Sequence, residues 1–230
     1  MWPALKAAIT GTPPAQQKQQ RPELLNRKPI KTSYLSNPVP LPETFLQGPP
    51  PPDARPITVT PVDWKAAKIP EYDGLYAVVL DHVLSPSECA ELVRLAEASV
   101  PVDGQLRNGA DDAWGPALVN VGAGFEVLEP GYRNGDRIVW DQQEVVDRVW
   151  KRIEGAEGMG ERFGVVGADE EKIVGTRTRR GGEGEWRFLR VNNRMRFLRY
   201  GKGGFFRREF LFPSVFFFYI VEGNANWLTV

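Results

Sequence analysis

The chain has 230 residues, with 29 Lys and Arg against 29 Asp and Glu, one His and one Cys. Zero net charge removes any global electrostatic case for nucleic acid or an anionic membrane, and a single cysteine excludes an internal disulfide framework or a multi-cysteine zinc site. The lone thiol suits a reducing compartment, so cytoplasm or nucleus is the expected location, and no apolar run reaches the ~20 residues that a membrane-spanning helix needs.

Residues 1–70 read as a Pro- and Gln-rich leader: Gln16 to Gln20 is interrupted only by Lys18, and Pro49 to Pro52 are consecutive. Proline withholds backbone donors and the polar residues bury too little apolar area to offset chain entropy, so this leader is expected to be disordered or extended. The acid-free stretch before Glu23 would fit a mitochondrial presequence, but it lacks the serine such segments carry.

Order is expected from about Tyr72, in a domain spanning 71–208. Leu75 to Leu84 is long and β-branched enough for a strand, and Ser85-Pro86-Ser87-Glu88 signs a helix start. In that box Ser85 is the N-cap, Pro86 the first helical residue and Glu88 the side chain that reaches back. Cys89, Leu92, Val93 and Ala96 follow at helical spacing, which makes Cys89 a core residue rather than a nucleophile. His82 is the only histidine. Strand neighbours point to opposite faces, so Asp81 and His82 cannot aim at one metal, and His82 reads as a surface or structural residue. No Ser, His and Asp grouping announces a hydrolase.

Further on, Ala117 to Phe125 is a short strand closed at Gly122-Ala123-Gly124, a turn without the third glycine of a dinucleotide fingerprint. Gly131 to Trp140 suggests a turn and a strand, and Asp141-Gln-Gln-Glu144 caps a second helix striped by Val146, Val149, Trp150 and Ile153. Residues 154–185, rich in Gly, Glu and Arg, read as a flexible insertion. Trp186 to Val191 restores an extended run. Arg194 to Tyr200 is a strand with Met195 and Phe197 on one face and Leu198 and Tyr200 on the other. Gly201, Gly203 and Gly204 then turn the chain into a second strand at Phe205-Phe206, a hairpin by pattern. Arg190, Arg194, Arg196 and Arg199 form a stripe expected to be solvated or to meet acidic side chains rather than a phosphate backbone.

Arg196-Phe-Leu-Arg-Tyr200-Gly-x-Gly-x-Phe205-Phe206 resembles the lead-in to the iron site of the prolyl 4-hydroxylase-like Fe(II)/2-oxoglutarate oxygenases, especially those of fungal type. Two earlier segments carry the same resemblance: Val79-Leu-Asp-His-Val-Leu-Ser-Pro-Ser-Glu-Cys-Ala-Glu-Leu92, and Tyr132-Arg-Asn-Gly-Asp-Arg137 with the helix after it. The resemblance implies an α+β fold, a double-stranded β-helix or jelly roll with flanking helices. It also implies chemistry in which iron, 2-oxoglutarate and dioxygen, with ascorbate as a supporting reductant, hydroxylate a peptidyl or small-molecule C–H bond. On the matching positions it makes Tyr200 a residue lining the 2-oxoglutarate pocket, and Arg133 and Asn134 substrate-side residues. Read from the residues alone, Tyr200 is an inward aromatic, and Arg133 and Asn134 are a turn with surface charge.

The family's His-x-Asp would fall on Glu209 and Leu211, and no second histidine exists to complete a two-His, one-carboxylate triad. No catalytic residue and no metal ligand is therefore assigned. The expectation is an incomplete jelly roll, an inactive or truncated oxygenase with a divergent aromatic tail at 209–230, such as a retained intron or shifted frame would produce. Val215 to Val221, uncharged and free of proline, has the signature of an aggregating segment. The other reading kept open is a noncatalytic binding or scaffold protein.

Overall fold

The computed structural model describes residues 28–103, 106–167, 170, 185–207, 219–222 and 226–229. Among them are three α-helices and several small antiparallel sheets, none of which closes into a barrel. The coarse expectation of a mixed α and β fold holds. The chain divides into two compact units, the first of 1–39, 94–140 and 196–230, the second of 40–93 and 141–195.

The first unit holds most of the largest sheet, with Asp141, Arg194 and Met195 counted in the second. The sheet's strands β4 (Gly115–Pro116), β8 (Asp136–Asp141), β11 (Arg194–Arg199), β13 (Tyr219–Glu222) and β14 (Asn226–Thr229) lie in the order β13-β14-β11-β8-β4. Alternation sets which residues face inward: Met195 and Phe197 on β11 are buried as the pattern predicts, and Phe197 packs at a tilt on Trp140 with ring centroids 6.5 Å apart. A second sheet joins β1 (Ile30–Lys31), β6 (Phe125–Val127) and β5 (Val119–Gly122) in the order β1-β6-β5. The β5–β6 turn is the expected one, with Gly122, Ala123 and Gly124 all at positive φ.

In the second unit β2 (Thr58–Pro61) pairs antiparallel with β3 (Val78–Asp81), and β9 (Val165–Gly167) with β10 (Glu185–Arg187). β3 is shorter than the expected 75–84 strand, and at its C-terminal end His82 adopts φ 64, which stops the extended run before the buried Val83 and Leu84. Helix α1 (Pro86–Ala98) then starts at the predicted box: the Glu88 amide donates to Ser85 Oγ at 3.2 Å, and the Ser85 amide to Glu88 Oε2 at 2.9 Å. Its buried side chains include Leu92, Leu95 and Ala96, while Cys89 and Val93 are only half-buried, so the stripe is rotated from the predicted one.

Helix α2 (Gln143–Glu154) is capped by the Gln142 side chain, which accepts from the Glu144 amide, and not by Asp141. Asp141 ends β8 and is occupied by Arg194, at 2.8 and 2.6 Å. The buried positions on α2 are Val145, Val146, Arg148 and Ile153, with Val149 and Trp150 half-buried. Trp150 stacks on Phe188 at 4.3 Å, and Phe163 meets Trp150 edge-on. Within the predicted insertion, Met159–Gly164 forms a third helix, α3, and Val165–Gly167 forms β9. Residues 168–169 and 171–184 lie outside the described residues.

The leader also departs from expectation. Residues 1–27 lie outside the described residues, but 28–70 already hold β1 and β2, and Phe45 and Leu46 are buried at 7% and 5% exposure. Burial of two such side chains stabilises by about 1.5–3 kcal/mol each, which composition averaged over the whole leader conceals. Finally, β11 does not form a hairpin with the strand that follows it. β12 (Phe205–Phe206) pairs instead with β7 (Arg133–Asn134), because the Gly201–Gly204 turn carries the chain across rather than back.

Candidate functional site

The β7–β12 pairing draws the sequence-predicted residues into one corner of the first unit. Asn134 lies opposite Phe205 and Arg133 opposite Phe206 in the ladder, which the Arg207 amide extends by donating to the Tyr132 carbonyl at 3.0 Å. The turn between β11 and β12 closes through the Gly204 amide on the Gly201 carbonyl at 2.8 Å, with Gly203 at φ 79, where glycine alone is unstrained. Asn134 Nδ2 donates to the Gly203 carbonyl at 3.2 Å and so ties β7 to that turn. A β-carbon added at Gly204 would meet the Asn134 carbonyl at 3.1 Å and Tyr200 Cα at 3.2 Å, so the approach depends on glycine.

Tyr200 lies against Gly135, the residue after Asn134. A β-carbon at Gly135 would fall 2.5 Å from Tyr200 Cε1 and 2.7 Å from Cδ1, so the ring occupies the space that glycine leaves. Arg133 places its guanidinium carbon 4.7 Å from the centre of the Phe206 ring, while Tyr132 meets the same ring edge-on at 5.4 Å. Arg133 Nη1 reaches the Leu118 carbonyl at 3.4 Å, and its Nε is buried with no hydrogen-bond partner. Arg133, Asn134 and Tyr200 are thus adjacent. In their immediate contacts stand aromatic rings, backbone carbonyls and a second cation, the Arg207 guanidinium carbon 5.8 Å from the centre of the Phe205 ring, a set suited to stacking a flat group.

The histidine contributes to a different unit. His82 closes β3 in the second unit, half-exposed, with Asp81 exposed beside it. Among the described residues no group of three or more His, Cys, Asp or Glu side chains converges as metal ligands, and Glu209 and Leu211 lie outside those residues. No helix among them is long and apolar enough to cross a membrane.

Two charged constellations escaped the sequence reading. In the first unit Glu126 accepts from both terminal nitrogens of Arg137, at 3.0 and 2.8 Å, and from the Tyr34 hydroxyl at 2.6 Å. In the second, Arg152 forks onto Glu88 at 2.8 and 2.6 Å, and Arg148, one turn earlier on α2, donates to the Pro42 and Phe45 carbonyls at 3.0 and 2.6 Å. Burial works against the Glu88 carboxylate, but the Arg152 bonds and the Ser85 amide outweigh it and hold its pKa below the ordinary value. The available signal was Arg148 itself, a charge inside an apolar helix face. Beside it a groove of about 480 Å³ is lined by Gln47, Gln143, Glu144, Asp147, Arg148 and Lys151, too open to enclose an ordinary small-molecule ligand.

The chain matches no known family model, no curated protein and no solved structure.

Proposed function

We propose that the chain is a noncatalytic relative of the prolyl 4-hydroxylase-like Fe(II)/2-oxoglutarate oxygenases, built on an incomplete double-stranded β-helix. What supports this reading is the packing of Tyr200 against Gly135 directly after Arg133 and Asn134, since the resemblance assigns these distant segments to one pocket and its mouth. The fold class is compatible at the level of α-helices combined with small antiparallel sheets.

The donor set argues against activity. An iron centre of this type takes two imidazole nitrogens and a carboxylate on one face, and the whole chain carries one histidine. The residues do not fit the metal, so 2-oxoglutarate and ascorbate have no iron here to act with, and no catalytic step is assigned. The remaining capacity is recognition, through the cation and exposed ring of Arg133 and Phe206. A scaffold role without oxygenase ancestry is the second reading. Its support is the exposed apolar run of the second unit, where Trp186 is 56% and Leu189 86% exposed.

The deciding experiment adds Fe(II) and 2-oxoglutarate anaerobically to the purified chain and records the visible spectrum. The expected result is no charge-transfer band and no 2-oxoglutarate turnover. A band that vanishes on chelation would overturn the noncatalytic reading. A crystal structure in which the β11 sheet faces no second sheet would remove the ancestry and leave the scaffold.

A further inference from the structure

The segment 40–53 is held at two places of very different character, both inside the second unit. At one end Phe45 and Leu46 are buried, and α2 grips their backbone: Arg148 donates to the Pro42 and Phe45 carbonyls, and Arg152 Nε to the Leu46 carbonyl at 3.3 Å. At the other end Asp53, with an exposed carboxylate, takes the Ser87 amide and the Ser87 hydroxyl at 2.8 Å each. Between the two lies Pro49 to Pro52, which has no backbone donor to fasten it; it is entered by a bend at Gly48–Pro49 and left by a turn in which the Ala54 amide donates to the Pro51 carbonyl at 2.9 Å.

The Asp53 contact completes the start of α1. Pro86 has no N–H, the Glu88 amide is taken by Ser85 Oγ and the Cys89 amide by the Ser85 carbonyl at 2.9 Å. That leaves the Ser87 amide, which a residue thirty-four positions upstream satisfies. A carboxylate is favoured there by the helix dipole, and the Ser87 amide and then its hydroxyl hold the Asp53 pKa below the ordinary value.

We propose that 40–53 is a hinged strap: Arg148 and Arg152 fix one end, the proline run acts as the arm, and the Asp53–Ser87 contact is a latch that opens on its own. Opening uncaps the first turn of α1 at Ser87 but leaves the Ser85–Glu88 box and the buried anchor closed. The strap is thus a conformational device joining the leader to α1, with its release set at the surface.

Hydrogen exchange followed by mass spectrometry on the full chain tests it. Asp53→Ala is expected to accelerate exchange at Ser87 and Ala54 by at least about threefold, the scale of a lost helix cap, while the Phe45, Gln47 and Gly48 amides keep their rate. Ser87→Ala, which removes the hydroxyl bond and keeps the amide one, serves if the first variant fails to fold, and gives a smaller rise at the same places. Acceleration spread evenly over 42–54, or none at Ser87, overturns the hinged strap.

Discussion

Arg137 and Glu126 meet through two parallel hydrogen bonds with both side chains withdrawn from solvent, at 9% and 5% exposure. A carboxylate buried this far needs its charge answered in place, and Tyr34 supplies the third bond. Glu126→Gln leaves the Arg137 charge buried without a counterion and is expected to cost about 3–5 kcal/mol in urea unfolding, most of it recovered in Glu126→Gln combined with Arg137→Met. A double-variant loss equal to the sum of the Glu126→Gln and Arg137→Met losses would show that the pair is not coupled.

The same pair sets a pH dependence. Burial alone would raise the Glu126 pKa, but the Arg137 bonds and charge, with the Tyr34 hydroxyl, outweigh it and hold it below the ordinary 4.5. A lowered folded-state pKa gives stability that is present in full above the unfolded value and is lost as pH falls through the folded one. The urea midpoint of the wild type should therefore fall as pH drops below 4.5. In Glu126→Gln that part of the fall should be missing, as chemical unfolding monitored by tryptophan fluorescence across this range will register.

Gly135 and Tyr200 make a second coupled pair. Gly135→Ala would put a methyl 2.5 Å from the Tyr200 ring, and the Arg199 carbonyl at 3.2 Å closes another side. The expected cost is about 1–3 kcal/mol, as for overpacked sites. In a Tyr200→Ala background the same change should cost well under half of that. Equal costs in both backgrounds would mean that the ring does not fill the space above Gly135.

The parts of this architecture legible in the sequence are those whose partners are near in the chain. Ser85 and Glu88 are three residues apart and find each other as predicted, and Gly122 to Gly124 makes the turn its composition demands. The partners of Arg148 were not legible, because they are carbonyls more than a hundred residues upstream and a carbonyl leaves no mark on residue identity. Periodicity was equally silent on β7 and β12, which at two residues each are too short to carry a register signal. The juxtaposition of Arg133 and Asn134 with Tyr200 came only from the likeness to oxygenase segments, since alternation says which way Tyr200 faces but not what it faces.

Arg148 is where the leader meets the core, and it carries the next prediction. Arg148→Met keeps much of the apolar stem in place and removes the donors, leaving the buried Phe45 carbonyl without the Arg148 bond, while the Pro42 carbonyl keeps the Phe45 amide at 3.0 Å. A buried acceptor left unpaired costs about 1–3 kcal/mol, so a loss of that size is expected, with protease cleavage in 40–48 at concentrations that spare the wild type. Stability within about 0.5 kcal/mol of wild type would mean that water replaces the guanidinium and that the leader is not anchored there.

Arg199 offers the opposite case, a charge whose worth lies in geometry rather than burial. It reaches Asp112 at 2.9 Å and Asp136 at 3.1 Å with one terminal nitrogen, and its guanidinium carbon lies 4.9 Å from the centre of the Trp114 ring. All three charged groups retain solvent contact, so screening limits each pair to about 0.2–1 kcal/mol. A lysine keeps the charge but cannot spread a planar fork between two carboxylates while lying on an indole. Arg199→Lys is therefore expected to lose about 1 kcal/mol at low salt, and that loss should shrink in high salt to whatever the Trp114 stacking contributes, since stacking is screened less than the pairs are. A loss unchanged by salt would assign the whole effect to the ring contact and none to Asp112 and Asp136.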